Sequence, residues 1–187
     1  MTRDDRFGFS VLSRRRWLEL SIGVGVMVAG GFGGSAALRG AAPDVPGLRA
    51  LTAREFQTLA ALARALFPAG GPVPVSADDL ALARAFDGFL ADEPEWNRAD
   101  LEKALLLVEL GPLLFERRFT TFPRLSPVEA LAHFERVWAE GESVLRRQVA
   151  LAFRKFFALV FYDDERVWPH IGYPGPSLHP IVTTPGA

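Results

Sequence analysis

The chain of 187 residues contains no cysteine. That absence excludes disulfides, iron–sulfur clusters, thiol catalysis, cysteine-ligated zinc and covalent c-type haem attachment. An exported protein of this composition is stabilised by packing or by a partner. Lysine is nearly missing too, with only Lys103 and Lys155 among 21 basic residues. Arginine suits planar ion pairs at interfaces, although a codon bias gives the same count. The formal net charge of −1 leaves no electrostatic footprint for nucleic acid. Histidine is limited to His133, His170 and His179. No G-x-G-x-x-G, P-loop or G-x-S-x-G is present. Gly70-Gly71-Pro72 lies between predicted helices with no strand before it, so it reads as a loop and not a phosphate cradle. No segment alternates like a strand, and no internal repeat is visible.

What is present begins with an address. Ser13-Arg14-Arg15-Arg16-Trp17-Leu18 reads S-R-R-x-aromatic-L, the twin-arginine export pattern. Ser13, Arg14, Arg15, Trp17 and Leu18 are its signal residues. Leu20 to Leu38 follow as 19 uncharged residues, six of them glycine. Glycine adds no apolar surface and weakens a helix, so the stretch is only mildly hydrophobic. The order of basic, apolar and small residues is that of an export signal over residues 1–37. Ser35-Ala36-Ala37 offers a cleavage site, whereas the competing Gly40-Ala41-Ala42 is blocked by Pro43. An uncleaved signal of this length is also long enough to anchor the chain in a membrane. Cleavage removes five arginines and three acids and leaves a charge of −3.

Hydrophobic residues make up 49% of the chain, enough for one domain with a real core. A linker over residues 38–50 precedes a predicted helical bundle over 51–162. Thr52 and Glu55 form a capping box, with Leu51 placed to staple onto Phe56. Phe56, Leu59, Ala60, Ala63, Leu66 and Phe67 recur with a helical period, and Pro68 stops it. Ser76 with Asp79 predicts a second helix carrying Leu80, Ala83, Phe86 and Leu90. A third runs from about Arg98 toward Phe119, and Gly111-Pro112 is expected to kink or break it. Ser126-Pro127-Val128-Glu129 is a second capping box with proline at the first helical position. That helix carries Leu131, Phe134 and Trp138, with Gly141 at its end. A fifth helix, about Ser143 to Phe161, carries Phe153, Phe156, Phe157 and Phe161. The fold class is all-α: a single irregular bundle of about five helices with an extended proline-rich C-terminal tail.

The tail, residues 163–187, is expected to open on one short helical turn spanning Tyr162 to Trp168. Beyond it Pro169, Pro174, Pro176, Pro180 and Pro185 predict extended chain. Trp168, Ile171 and Tyr173 are large groups on that segment. Either they fold back as a packed strap or they lie on another protein. Proline-restrained segments lose less entropy on docking.

Chemistry is sparse. Glu129 and His133 are four apart on one helix and can share a side, which reads as an ordinary surface pair. A di-iron bundle needs repeated Glu-x-x-His pairs, and none occurs. Asp78-Asp79, Asp92-Glu93 and Asp163-Asp164-Glu165 lie at helix starts or in loops, where solvation and helix dipoles account for them. The residues therefore predict no catalytic, cofactor or metal site.

Two longer phrases carry a resemblance. One is Leu51-Thr52-Ala53-Arg54-Glu55-Phe56 through Leu66-Phe67-Pro68. The other is Phe156-Phe157 through Phe161-Tyr162-Asp163-Asp164, then Arg166-Val167-Trp168-Pro169-His170-Ile171-Gly172-Tyr173-Pro174-Gly175-Pro176. With the twin-arginine signal, these resemble the small subunit, subunit 3, of gluconate 2-dehydrogenase-type enzymes. The resemblance spans roughly residues 51 to 176, with a loosely similar middle. It implies a non-catalytic accessory subunit without its own cofactor. Its partner would be a large FAD-dependent dehydrogenase of the glucose–methanol–choline class, oxidising a sugar or alcohol. A multihaem cytochrome c subunit often completes such complexes. The implied task is to carry the flavoprotein to the periplasm through the twin-arginine translocase. An interface rich in arginine and aromatics is expected, with Trp168, Pro169, Ile171, Tyr173 and Pro174 as partner-binding residues. The competing classes are a stand-alone periplasmic helical protein binding metal or haem through His133, His170 or His179, and a membrane-anchored structural protein.

Overall fold

The computed structural model describes residues 42–175. Helix is the regular secondary structure of the described residues, with no strand among them. Six α-helices follow in order: α1 Ala53–Leu66, α2 Leu82–Ala91, α3 Glu95–Glu116, α4 Pro127–His133, α5 Val144–Asp163 and α6 Trp168–Ile171. A 3₁₀ turn, Phe122–Arg124, precedes α4, and a π-helical segment, Phe134–Ala139, continues it. The all-α bundle expected from the sequence is what forms.

Helix α1 starts where its hydrogen-bonding chemistry dictates. The Glu55 amide donates to Thr52 Oγ1 at 3.3 Å, and the Thr52 amide donates back to Glu55 Oε2 at 2.8 Å. Two of the amides that a helix start leaves without partners are thereby satisfied. Helix α4 repeats the device with Ser126 and Glu129, and Pro127 occupies the first turn, where its missing N–H is harmless. Leu59, Leu62 and Ala63 then face inward from α1, which packs on α2, α3, α4 and the 3₁₀ turn. Helix α5 closes the bundle by lying on α2 and on the π segment. Its Phe153, Phe156 and Phe157 gather around Phe86 of α2, with ring centroids 5.8, 4.4 and 5.9 Å apart. Such aromatic pairs add to what burial of their area contributes.

Three expectations are corrected. Ser76 and Asp79 do bond reciprocally, but the regular helix begins only at Leu82. Ala81 adopts the left-handed conformation, with φ 47°, which ends the Ser76 turn. That backbone costs roughly 1–2 kcal/mol for an L-residue, and it turns Leu82 and Ala83 into the core.

Gly111-Pro112 does not break α3; the helix runs unbroken from Glu95 to Glu116 with Pro112 inside it. Burial overrides the local penalty, because Leu105, Val108, Leu110 and both breaker residues are inside. Helix α3 ends instead at Arg117, which is left-handed and donates its amide to the Pro112 carbonyl.

Gly141 does follow the π segment, but its role is close approach: an ideal β-carbon there would sit 2.3 Å from the Val137 carbonyl oxygen. No larger residue fits that position without moving the backbone.

Candidate partner surface and a buried histidine

The chain beyond α5 is the first candidate. Phe161 stacks on Phe67 at 4.3 Å, so the end of α5 is tied to the end of α1. Asp164 accepts from its neighbour Arg166, at 2.8 Å from Nε and 2.9 Å from Nη2. Those bonds hold the Asp164 carboxyl down at about 2. Arg166 also donates from Nη1 to the Asp79 carbonyl at 3.3 Å, joining the tail to the α1–α2 connection. Val167 is fully buried, an apolar peg.

From that peg the chain turns outward. The indole N–H of Trp168 donates to the Tyr162 carbonyl at 3.0 Å. The rings of Trp168 and Tyr173 meet edge to face, 5.3 Å apart. Gly175 passes over the indole so closely that an ideal β-carbon would lie 3.2 Å from Cζ3. Trp168 is half-buried, whereas Pro169, Ile171, Tyr173 and Pro174 are exposed. The expected extended segment is therefore corrected for Trp168–Ile171, which forms α6. Pro169 is compatible with it because the first turn needs no amide donor. All five predicted partner residues are brought into one small surface, held at Val167 and Arg166. Residues 176–187, with Pro176, His179, Pro180 and Pro185, lie outside the described residues. So do the signal residues Ser13, Arg14, Arg15, Trp17 and Leu18.

The second candidate corrects the reading of Glu129 and His133 as a surface pair. Glu129 is exposed and accepts from Arg118 at 2.8 Å and from the Ser126 amide at 3.1 Å. The Arg118 bond and the Ser126 bonds hold its carboxyl at about 2. His133 is a full turn deeper, and its side chain has no exposure. Its Nδ1 lies 3.0 Å from Glu116 Oε2, and its ring meets Phe122 edge to face at 5.9 Å. Burial pushes the imidazole below its usual range, with Glu116 opposing the shift and Arg136 assisting it. Burial disfavours the Glu116 charge, but the Arg136 bond and the adjoining His133 prevail and hold that carboxyl below its usual range. The Nε2 atom faces the backbone of Gly111. Despite their approach, His133 Nδ1 and Glu116 Oε2 do not meet with hydrogen-bond geometry, and neither they nor His133 Nε2 and Trp138 Nε1 have a hydrogen-bond partner among the described residues. This enclosed set spans α3, α4 and the π segment, and no spacing rule exposes it in the sequence.

A third feature was not read from the sequence at all. The buried Asp87 of α2 accepts three successive backbone amides, those of Arg49, Ala50 and Leu51, at 2.8, 3.0 and 2.8 Å. Burial raises its pKa, yet the three amides prevail and lower it. The one available signal was an acid on the apolar side of a helix that carries Ala83, Phe86 and Leu90.

Asp78, Asp92 and Glu93 of the carboxylate clusters are accounted for by neighbours. Asp78 pairs with Arg64, Asp92 with Arg49, and Glu93 with Asn97. Among the described residues no group of three or more His, Asp or Glu is arranged to hold a metal. His170 is exposed on α6. No helix of the described residues is long and apolar enough to cross a membrane. No family model, curated protein or solved structure matches the chain.

Proposed function

We propose that this chain is a non-catalytic small subunit of a periplasmic FAD-dependent sugar or alcohol dehydrogenase complex. It binds the flavoprotein large subunit and carries it through the twin-arginine route. The observation that carries this reading is the surface from Trp168 to Pro174. Aromatic and proline groups stand exposed there, while Val167, Arg166 and Asp164 fix the segment to the bundle. Preorganised aromatics of this kind suit a protein interface, because little ordering entropy remains to be lost on docking.

The export logic supports the same reading. A flavoprotein acquires FAD in the cytoplasm and so has to cross the membrane folded. The twin-arginine pattern at Ser13–Leu18 stands on a chain whose own residues call for no cofactor. The signal is then best explained as serving a second, cofactor-loaded protein. The resemblance of the Leu51–Pro68 and Phe156–Pro176 phrases to gluconate 2-dehydrogenase subunit 3 names the class of that protein. The competing metal or haem reading draws little from His133, whose ring is enclosed by Glu116, Phe122 and Gly111.

Truncation after Asp164, with co-purification of the flavoprotein as readout, tests the proposal. Loss of the complex is the expected result. An undiminished complex refutes the role of the tail.

A further inference from the structure

The outward side of α5 is a feature that the bundle leaves without a role. Before its last residue, the exposed Asp163, its exposed positions are Val144, Arg147, Leu151, Lys155, Leu159 and Tyr162. At 100° per residue they fall within an arc of roughly 120°, opposite the Phe153 and Phe157 side that packs on α2. A solvent-facing stripe of a surface helix is ordinarily polar. This one is apolar at four of six positions, with Leu151 48% and Leu159 58% exposed. The stripe is also continuous with the tail surface, because the Tyr162 carbonyl holds the Trp168 indole.

We infer that the α5 stripe and the tail form one docking strip for a single protein partner, whose matching face carries apolar groups interspersed with carboxylates. The argument has two parts, size and charge, and it rests on the subunit reading above. The stripe runs about 27 Å from Val144 to Tyr162 at 1.5 Å per residue, so a strip one helix wide offers only a few hundred Å². A stable interface needs about 800 Å² on each side. The α5 stripe falls short of that alone, and the adjoining Trp168, Ile171 and Tyr173 extend it.

Charge sets the partner's chemistry. Arg147 and Lys155 sit between the apolar positions, so carboxylates on the partner complement them. An anionic membrane surface is the competing occupant of an apolar and basic helix face. It is disfavoured by Asp163, Asp164 and Glu165, which close the stripe at the end where the tail begins; a protein partner can set its carboxylates against the Arg147–Lys155 stretch alone and away from that end, whereas a uniformly anionic surface meets both. Arg147 is also turned partly back, donating to the Gly141 and Glu142 carbonyls.

The test co-expresses the full chain with the FAD-containing large subunit and measures flavin retained per tagged chain. Leu151→Asp with Leu159→Asp is expected to cut retention at least tenfold, and Lys155→Glu several-fold, while thermal unfolding of each variant chain stays near that of the parent. The substituted side chains are exposed, and Lys155→Glu leaves the apolar packing untouched should the double variant unfold. Full retention by folded variants overturns the α5 inference and leaves the subunit reading standing. Failure of the unsubstituted chain to retain any flavoprotein overturns the subunit reading itself. Sedimentation with phosphatidylglycerol vesicles that is lost in the variants, beside unchanged flavin retention, overturns the inference in favour of a membrane face.

Discussion

The backbone of Gly111 rests against the imidazole of His133: a β-carbon at residue 111 would come within 2.8 Å of Nε2. The same β-carbon would lie 3.3 Å from Trp138 Nε1. Helix α3 reaches the α4 and π segment at this point only because residue 111 has no side chain.

Gly111→Ala is accordingly expected to destabilise the protein by about 1–3 kcal/mol, the usual cost of overpacking. In an exposed helix the same change stabilises by about 1 kcal/mol, so the sign itself is diagnostic. Chemical denaturation measures it. Combining Gly111→Ala with His133→Ala should recover part of the loss, since the two residues share one contact.

Stability is expected to fall as the medium is acidified below neutrality. The folded His133 has a pKa below its ordinary 6.5. The unfolded chain therefore binds the proton more readily, and stability present above pH 6.5 is lost as the pH falls through the folded value. Glu116, depressed below 4.5, adds a further loss at lower pH. Urea unfolding between pH 5 and 8 should give a slope that His133→Gln abolishes in its upper part.

Asp87→Ala should leave the Arg49, Ala50 and Leu51 amides without their acceptor. A loss of about 2–3 kcal/mol follows from hydrogen bonds to a buried charge. The sharper readout is local: amide exchange at residues 49–51 should quicken, and trypsin should cut after Arg49 far faster than in the parent. Asp87→Asn, which keeps one acceptor oxygen, should lie between the two.

Trp168→Phe removes the indole donor to Tyr162 while keeping an aromatic ring. One such hydrogen bond contributes about 1 kcal/mol, so the melting temperature should drop by only a few degrees. Flavoprotein retention should fall more steeply than stability, and Trp168→Ala should exceed it on both counts.

Replacing Arg14 and Arg15 together by lysine should hold both this chain and its partner in the cytoplasm. Fractionation of each protein reads the result. Continued export of the flavoprotein alone would contradict the escort role.

Much of the helical layout was legible because its signals are short-range. Thr52 with Glu55 and Ser126 with Glu129 close hydrogen bonds over three residues, and α5 announces itself through its phenylalanine spacing. The errors share a different cause. Gly111-Pro112 reads as a break when only local propensity is counted, and Pro169 reads as forbidding helix unless its place in a first turn is known. The candidate surface was half legible: Trp168, Ile171 and Tyr173 stood out by size, but the indole bond to the Tyr162 carbonyl and the edge-to-face meeting of Trp168 with Tyr173 did not.

By itself the sequence determined where helices α1 and α4 begin, the absence of thiol and cofactor motifs, and the twin-arginine pattern at Ser13–Leu18. Those are matters of composition and of contacts within one turn. Only the tertiary structure decided that His133 turns inward to Glu116, that Asp87 clasps a segment 36 residues before it, and that Gly111 lets two helices touch. The reason is physical. A hydrogen bond within a helical turn is encoded by its own neighbours, whereas a buried polar group finds its partner only after the chain has closed a long loop around an apolar core.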